Sequence, residues 1–171
     1  MDPEVQIQRR EAQSYAAIPM QVTMESLAGA VDQAFPELFG WLARHAIAPA
    51  GPPFIRYLVI DMAAVLQIEM GVPVATAIDD GDSSDGGRIT PGVFPGGRYA
   101  VLRHTGPYDG LIASNAALQR WAEEQGITFD SWNTPEGTAW RARAEHYLTN
   151  PAAEPDPSKW EVVVAYLITE S

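Results

Sequence analysis

Residues 140–148 read Trp-Arg-Ala-Arg-Ala-Glu-His-Tyr-Leu. As a strand, this stretch sends alternate side chains to opposite faces. Ala142, Ala144, His146 and Leu148 then share one face, while Arg141, Arg143, Glu145 and Tyr147 share the other. A carboxylate beside a phenol on one strand face has two readings. It belongs to a solvated surface on which Arg141 or Arg143 pairs with Glu145, or it lies on the floor of a pocket. Downstream, Pro151 to Pro157 makes a turn and Trp160 to Ile168 reads as a last, apolar strand. Upstream, Trp132 to Gly137 is rich in turn residues and reads as a loop. Before it, Leu111, Asn115, Leu118 and Trp121 or Ala122 form a helical stripe, with Asp109 as candidate N-cap and Gly126 as C-terminal stop. Gly97 to His104 precedes that helix as a strand, with Tyr99, Val101 and Arg103 on one side and Ala100, Leu102 and His104 on the other. Gly106-Pro107 turns the chain between them.

The first half of the chain repeats this layout. Val5 to Arg9 and the apolar stretch Ala16 to Met24 suggest a first strand with an irregular middle. Leu27, Val31, Ala34, Leu38 and Leu42 recur at helical spacing. Pro36 predicts a short helix leading into a main one that starts near it, to which Phe39, Trp41 and Ile47 add bulk for the core. After a loop at Pro49 to Pro53, strands are expected at Phe54 to Ile60 and at Ala64 to Val74, the second marked by Gly71 and Pro73 as an edge or bulge. Each half then reads strand, helix, strand, strand. Leu38, Trp41 and Ile47 fall on Leu118, Trp121 and Ile127 at one common offset, which together with the element order predicts internal duplication. The expected fold is therefore α+β: one domain of two tandem strand-helix-strand-strand units with pseudo-twofold symmetry, antiparallel sheets and a ligand groove between the halves. The units run over about 1–78 and 89–171, joined by an acidic, glycine-rich linker at about 79–88. That linker invites a calcium reading through Asp80, Asp82 and Ser84, but Asp85 stands where the loop needs Gly and Pro91 where it needs Glu.

Composition narrows the function. A chain of 171 residues with 46% apolar and 19% charged residues suits a globular fold and excludes wholesale disorder. A net charge of -11 argues against a nucleic-acid surface, favours solubility and is compatible with cationic ligands. No cysteine is present, so disulfides and thiolate metal sites are excluded. The polar N-terminus has no signal core, and no apolar run approaches the roughly 20 residues needed to span a bilayer. The expected compartment is the cytoplasm, without membrane contact. His45, His104 and His146 lack paired ligand spacing, so no metal site is expected; His104 reads as a strand-end residue hydrogen-bonded near the turn. There is no Gly-x-Ser-x-Gly elbow, and Gly92, Gly96 and Gly97 make no phosphate-binding fingerprint. No cofactor is expected.

Gly96 to Val101 through Thr105-Gly106-Pro107-Tyr108 resembles the GyrI-like small-molecule-binding family, also called AraC-type or BmrR-like effector-binding domains. The resemblance extends over Leu38 to Ile47, Gly51-Pro52-Pro53-Phe54 with Tyr57, Gly71-Val72-Pro73-Val74, and Glu145 to Leu148 followed by Trp160 to Val164. It covers nearly the whole chain in family order. It implies the tandem repeat and the groove, and a multidrug-binding role in which hydrophobic, often cationic, compounds are sensed or sequestered. It also implies an acidic groove residue at Glu145 surrounded by aromatics. In sensors that regulate transcription the domain is joined to a DNA-binding module, for which this chain has no room once the predicted fold is placed. One subgroup is implied to hydrolyse strained, cyclopropane-bearing toxins with a groove Glu and an aromatic hydroxyl. The family name alone carries a third role, binding a protein partner such as a gyrase-type target.

Glu145 has a physical rationale of its own. A carboxylate in an apolar groove bears a desolvation penalty unless protonated or paired, which favours a cationic ligand. Aromatic walls add about 0.5–2 kcal/mol per good cation–π contact. Candidate walls are Tyr57, Tyr108, Trp132, Trp140, Tyr147 and Trp160, of which Tyr147 is tied to Glu145 by the two-residue period. If the protein were an enzyme, Glu145 would activate water while Tyr147 or Tyr108 oriented the substrate.

Overall fold

The computed structural model describes residues 5–61, 64–78 and 88–169. The proposed linker, with Asp80, Asp82, Ser84 and Asp85, falls almost entirely outside the described residues. In chain order the elements are β1 (Val5–Arg10), β2 (Gln13–Val22), α1 (Leu27–Arg44), β3 (Phe54–Ile60), β4 (Leu66–Pro73), β5 (Thr90–Phe94), β6 (Gly97–Thr105), α2 (Leu111–Gln125), β7 (Ser131–Thr134), β8 (Gly137–Trp140), β9 (Arg143–Tyr147) and β10 (Glu161–Leu167). The strands form one antiparallel sheet in the order β1-β6-β10-β9-β3-β4-β2-β5, with β8 attached to β3 and β7 to β8. The protein is thus α+β. The order has a twofold pattern about the β9–β3 seam: β6-β10-β9 with α2 on one side answers β2-β4-β3 with α1 on the other. The strand preceding each set crosses over, β1 bordering β6 and β5 bordering β2.

Alternation along the strands divides the core. Ala16, Ile18, Ile55, Tyr57, Ile68 and Met70 face α1, where they meet Ala34, Leu38, Trp41 and Leu42. Ala100, Leu102, Val162, Val164 and Tyr166 face α2, where they meet Leu111 and Leu118. Tyr147 packs against both groups, so the two helices lie on the same face of the sheet with β9 and β3 between them. The neighbouring positions, among them Tyr15, Phe54, Phe94, Tyr99, Ala144 and Ala165, form a third cluster on the opposite face. Leu38 and Leu118 are fully buried, and truncating such a leucine to Ala costs about 2–5 kcal/mol.

Several local expectations are corrected. Pro36 does not divide the first helix, which runs unbroken from Leu27 to Arg44. The proline sits on the exposed side, so the carbonyl deprived of its N–H is turned to water, while Ala34, Leu38, Trp41 and Leu42 hold the helix down. Phe39 lies on the solvent side at 39% exposure and adds nothing to the core. The first strand with an irregular middle is two strands, because β1 pairs with β6 while β2 pairs with β4 and β5. Thr90–Phe94, which carries a proline and a glycine, is a strand on the edge of the sheet, where a missing N–H is tolerated. Gly110 rather than Asp109 caps α2, after a single 3-10 turn over Tyr108–Gly110; Gly126 ends it in the left-handed region at φ 70° as expected. The presumed loop at Trp132 to Gly137 is mostly a hairpin of β7 and β8. Residues 140–148 are likewise not one strand, since Trp140 ends β8 and β9 begins at Arg143 after a bend.

Candidate functional site

Glu145 is 5% exposed, on the sheet face that carries both helices. Ile55 of β3 lies directly across from it in register. Two residues further along β3, Tyr57 therefore points to the same face, and its hydroxyl donates to Glu145 Oε1 at 2.8 Å. Tyr147, two residues along β9, donates to the same oxygen at 2.8 Å. From α2, Asn115 Nδ2 donates to Oε2 at 2.9 Å and also to the Leu111 carbonyl at 2.8 Å. The Asn115 amide is fixed from behind, because Tyr166 of β10 donates to its Oδ1 at 2.6 Å and Gln119 Nε2 donates to the Tyr166 hydroxyl at 3.2 Å. Donors from three elements, β3, β9 and α2, thus converge on one carboxylate, with β10 behind Asn115.

A carboxylate offers about four acceptor directions, of which three are filled here. Burial, then the negative charge of Glu145, holds the Tyr57 and Tyr147 phenols well above the ordinary tyrosine range. Burial pushes Tyr166 up to about 12, although the nearby Arg143 opposes the rise. All three phenols therefore remain protonated donors at neutral pH. Glu145 has no ion-pair partner among the described residues. Arg141 does not pair with Glu145; its Nε donates to Asp130 at 2.8 Å on the surface. Arg143 is also unpaired with Glu145. Its guanidinium lies 4.6 Å from the Trp140 ring centre, 4.7 Å from Tyr166 and 5.7 Å from Tyr57. The Nε atoms of Arg143 and of Trp140 (Nε1) are buried without hydrogen-bond partners. The cation nearest this network is thus held by aromatic faces.

Tyr108, on the turn before α2, packs 5.6 Å from Tyr147 and 4.8 Å from Trp160, and burial raises its phenol pKa. Trp160 is oriented by donating Nε1 to the Glu154 carbonyl at 2.8 Å. The sequence-derived set therefore divides. Glu145, Tyr57 and Tyr147 meet directly, Tyr108 and Trp160 adjoin Tyr147, and Trp140 stands behind Arg143. Trp132 does not join them: it is 47% exposed on the β7–β8 hairpin, with Arg141 5.5 Å from its ring centre. Three members of the network were not foreseen as such: Asn115, Gln119 and Tyr166. Asn115 had a signal, being a polar residue on the apolar stripe of α2 at 8% exposure. Tyr166 had none beyond its alternation with Val162 and Val164. His104 sits as expected at its strand end, with Nδ1 2.8 Å from Ser114 Oγ and Nε2 2.9 Å from the Pro107 carbonyl. No group of metal-ligating side chains occurs among the described residues, and no described helix is long and apolar enough to cross a membrane.

The model of the GyrI-like small molecule binding domain matches residues 3–166. No curated protein matches the sequence. Among solved structures, the chain is similar to EcmrR in its DNA complex, with a TM-score of 0.76 and 15% identity over 100% of this chain and 59% of that one. It spans less than two thirds of that protein. The EcmrR C-terminal domain aligns end to end, with 100% of both chains covered at a TM-score of 0.72 and 16% identity. SAV2435, solved with tetraphenylphosphonium, aligns at a TM-score of 0.64 and 10% identity over 97% of this chain and 94% of that one. Likeness at such identities establishes the fold.

Proposed function

The chain belongs to the GyrI-like small molecule binding domain family, and on that premise we propose that it binds a hydrophobic, cationic small molecule at Glu145, in the groove between two strand-helix-strand-strand units of one domain. The single observation that carries this reading is a carboxylate 5% exposed, held by three neutral donors and paired with no cation among the described residues. Such a charge retains most of its attraction for a cation arriving in a low-dielectric groove. The rings of Tyr147, Tyr108 and Trp160 offer the apolar and cation–π surface that a lipophilic cation requires. The neighbour SAV2435, solved with tetraphenylphosphonium, supports this ligand class. The geometry favours holding charge over activating water, because both oxygens of Glu145 already accept from fixed donors and leave about one acceptor direction open.

Titration with tetraphenylphosphonium, followed by tryptophan fluorescence through Trp160 and Trp140, tests the proposal. Saturable binding is expected, weakened about tenfold or more in Glu145→Gln, which keeps the shape and removes the charge. No saturation in the wild type, or equal affinity in the variant, would refute it.

A further inference from the structure

On the sheet face opposite Glu145 lies a cavity of about 300 Å³. Its floor follows from sequence: alternate residues of β9 are Ala142 (just before the strand) and Ala144, and Ala165 of β10 lies beside Ala144 in register. Three methyl groups stand at the centre of a sheet face where larger side chains would have filled the space. Phe94 and Tyr99 wall it. The volume is at the lower end of small-molecule pockets, suited to one ring with few substituents.

The polar lining has a defined charge. Arg10, the last residue of β1, places Nη1 3.5 Å from His146 Nε2, Nη2 3.4 Å from Gln8 Oε1, and its guanidinium carbon 5.3 Å from the Tyr99 ring centre. Both hydrogen bonds are long, and no carboxylate among the described residues pairs with Arg10. Burial lowers its pKa, the mark of a cation withdrawn from water without an anion. His146 packs 5.8 Å from Phe54 and 5.7 Å from Phe94, centre to centre. Burial, then the charge of Arg10, lowers its pKa to about 3. The ring is therefore neutral at pH 7. Because arginine has no acceptor, the Nε2 that faces it carries the lone pair and the ring proton sits on Nδ1.

The remaining groups narrow the charge of a guest. The Tyr99 hydroxyl is committed to the Pro95 carbonyl at 2.7 Å, and Gln13 Nε2 to the carbonyls of Ser14 and Val74 at 2.9 Å each. Arg56, beside Phe94, is committed to Tyr15 and to the Val93 and Arg141 carbonyls. Glu11 stands exposed at the rim. The Arg10 cation, held by two long hydrogen bonds and no carboxylate among the described residues, together with the rim carboxylate of Glu11, suits a monoanion and disfavours a dianion such as a phosphate ester.

We propose that this cavity is a second ligand site, which takes a small aromatic monocarboxylate with its carboxylate on Arg10 beside His146 and its ring over Ala142, Ala144 and Ala165. Its charge preference is opposite to that of the Glu145 groove, and the two sites lie on the two faces of β9.

Benzoate is the probe, read by calorimetry and by the imidazole resonances of His146. Saturable binding in the millimolar range or tighter is expected, with a shifted His146 signal. Benzamide, of the same shape but neutral, should bind about tenfold more weakly. Arg10→Gln should lose a similar factor, and Ala144→Leu, which fills the floor, should abolish binding. Glu145→Gln should leave benzoate affinity unchanged, so failure here is distinguishable from failure of the groove reading. No saturation by benzoate, equal affinity for benzamide, or full affinity in Arg10→Gln would overturn the proposal.

Discussion

Replacing Glu145 by Ala removes the acceptor of three donors at once, and the structure indicates how each responds. Asn115 keeps its bond to the Leu111 carbonyl and the one it receives from Tyr166. The hydroxyls of Tyr57 and Tyr147 each have Glu145 as their acceptor and no second one among the described hydrogen bonds. Each orphaned buried donor costs about 1–3 kcal/mol, or about 2–6 kcal/mol for the pair. Against this stands relief of the desolvation of the carboxylate, a penalty of several kcal/mol that its three bonds and the nearby Arg143 already offset in part. The expected net is a destabilisation of about 1–4 kcal/mol, a large fraction of the roughly 5–15 kcal/mol typical of a domain. Glu145→Gln behaves differently. With Oε1 toward Asn115 Nδ2 and Nε2 toward the two phenols, which rotate to accept, the packing and the Asn115 bond are retained but both phenol protons lose their acceptor, so Gln should cost about 1–3 kcal/mol, less than Ala. Urea unfolding at pH 8, compared at constant m, measures both. If Glu145→Ala equals or exceeds the wild type in stability, or if Gln costs as much as Ala, the hydrogen-bond network is not what holds this carboxylate in place.

Three further outcomes are expected. His146 has a folded pKa of about 3 against about 6.5 unfolded, so below pH 6.5 the unfolded chain binds a proton that the folded chain refuses. Stability should therefore fall as pH drops from 6.5 toward 3, by at most about 5 kcal/mol from this residue, and His146→Phe should flatten the slope in urea midpoints taken at each pH. Gly71→Ala places a Cβ 2.4 Å and 2.9 Å from atoms of the fully buried Phe54 ring; overpacking there should cost about 1–3 kcal/mol, visible as a lowered thermal midpoint. Arg143→Gln vacates the faces of Trp140, Tyr166 and Tyr57 and removes a cation near Glu145, so tetraphenylphosphonium should bind more tightly, by severalfold, in fluorescence titration; weaker binding would mean that Arg143 does not compete with the ligand.

Periodicity, a local property, determined most of the elements and the pairing of Glu145 with Tyr147 on one strand face. The strand at Phe54 to Ile60, the α2 stripe with its Gly126 stop, and the faces of β6 were all legible because each residue's environment repeats within a few positions. The same local reasoning failed where tertiary support overrode it: Pro36 survives inside α1 because the buried residues around it hold the helix, and Thr90–Phe94 is a strand because β2 offers it an edge. The resemblance of motifs supplied the family and singled out Glu145. Only the tertiary structure decided what surrounds that carboxylate. Tyr57 and Asn115 reach it from two separate elements, with Tyr166 fixing Asn115 from a third, through the β3–β9 register and the seating of α2 on the sheet. Nor could sequence show that Arg143, next but one to Glu145, would turn to aromatic faces, or that three alanines would leave a cavity behind them. Those depend on which distant side chains share a volume, and strand pairing and sheet curvature set that sharing.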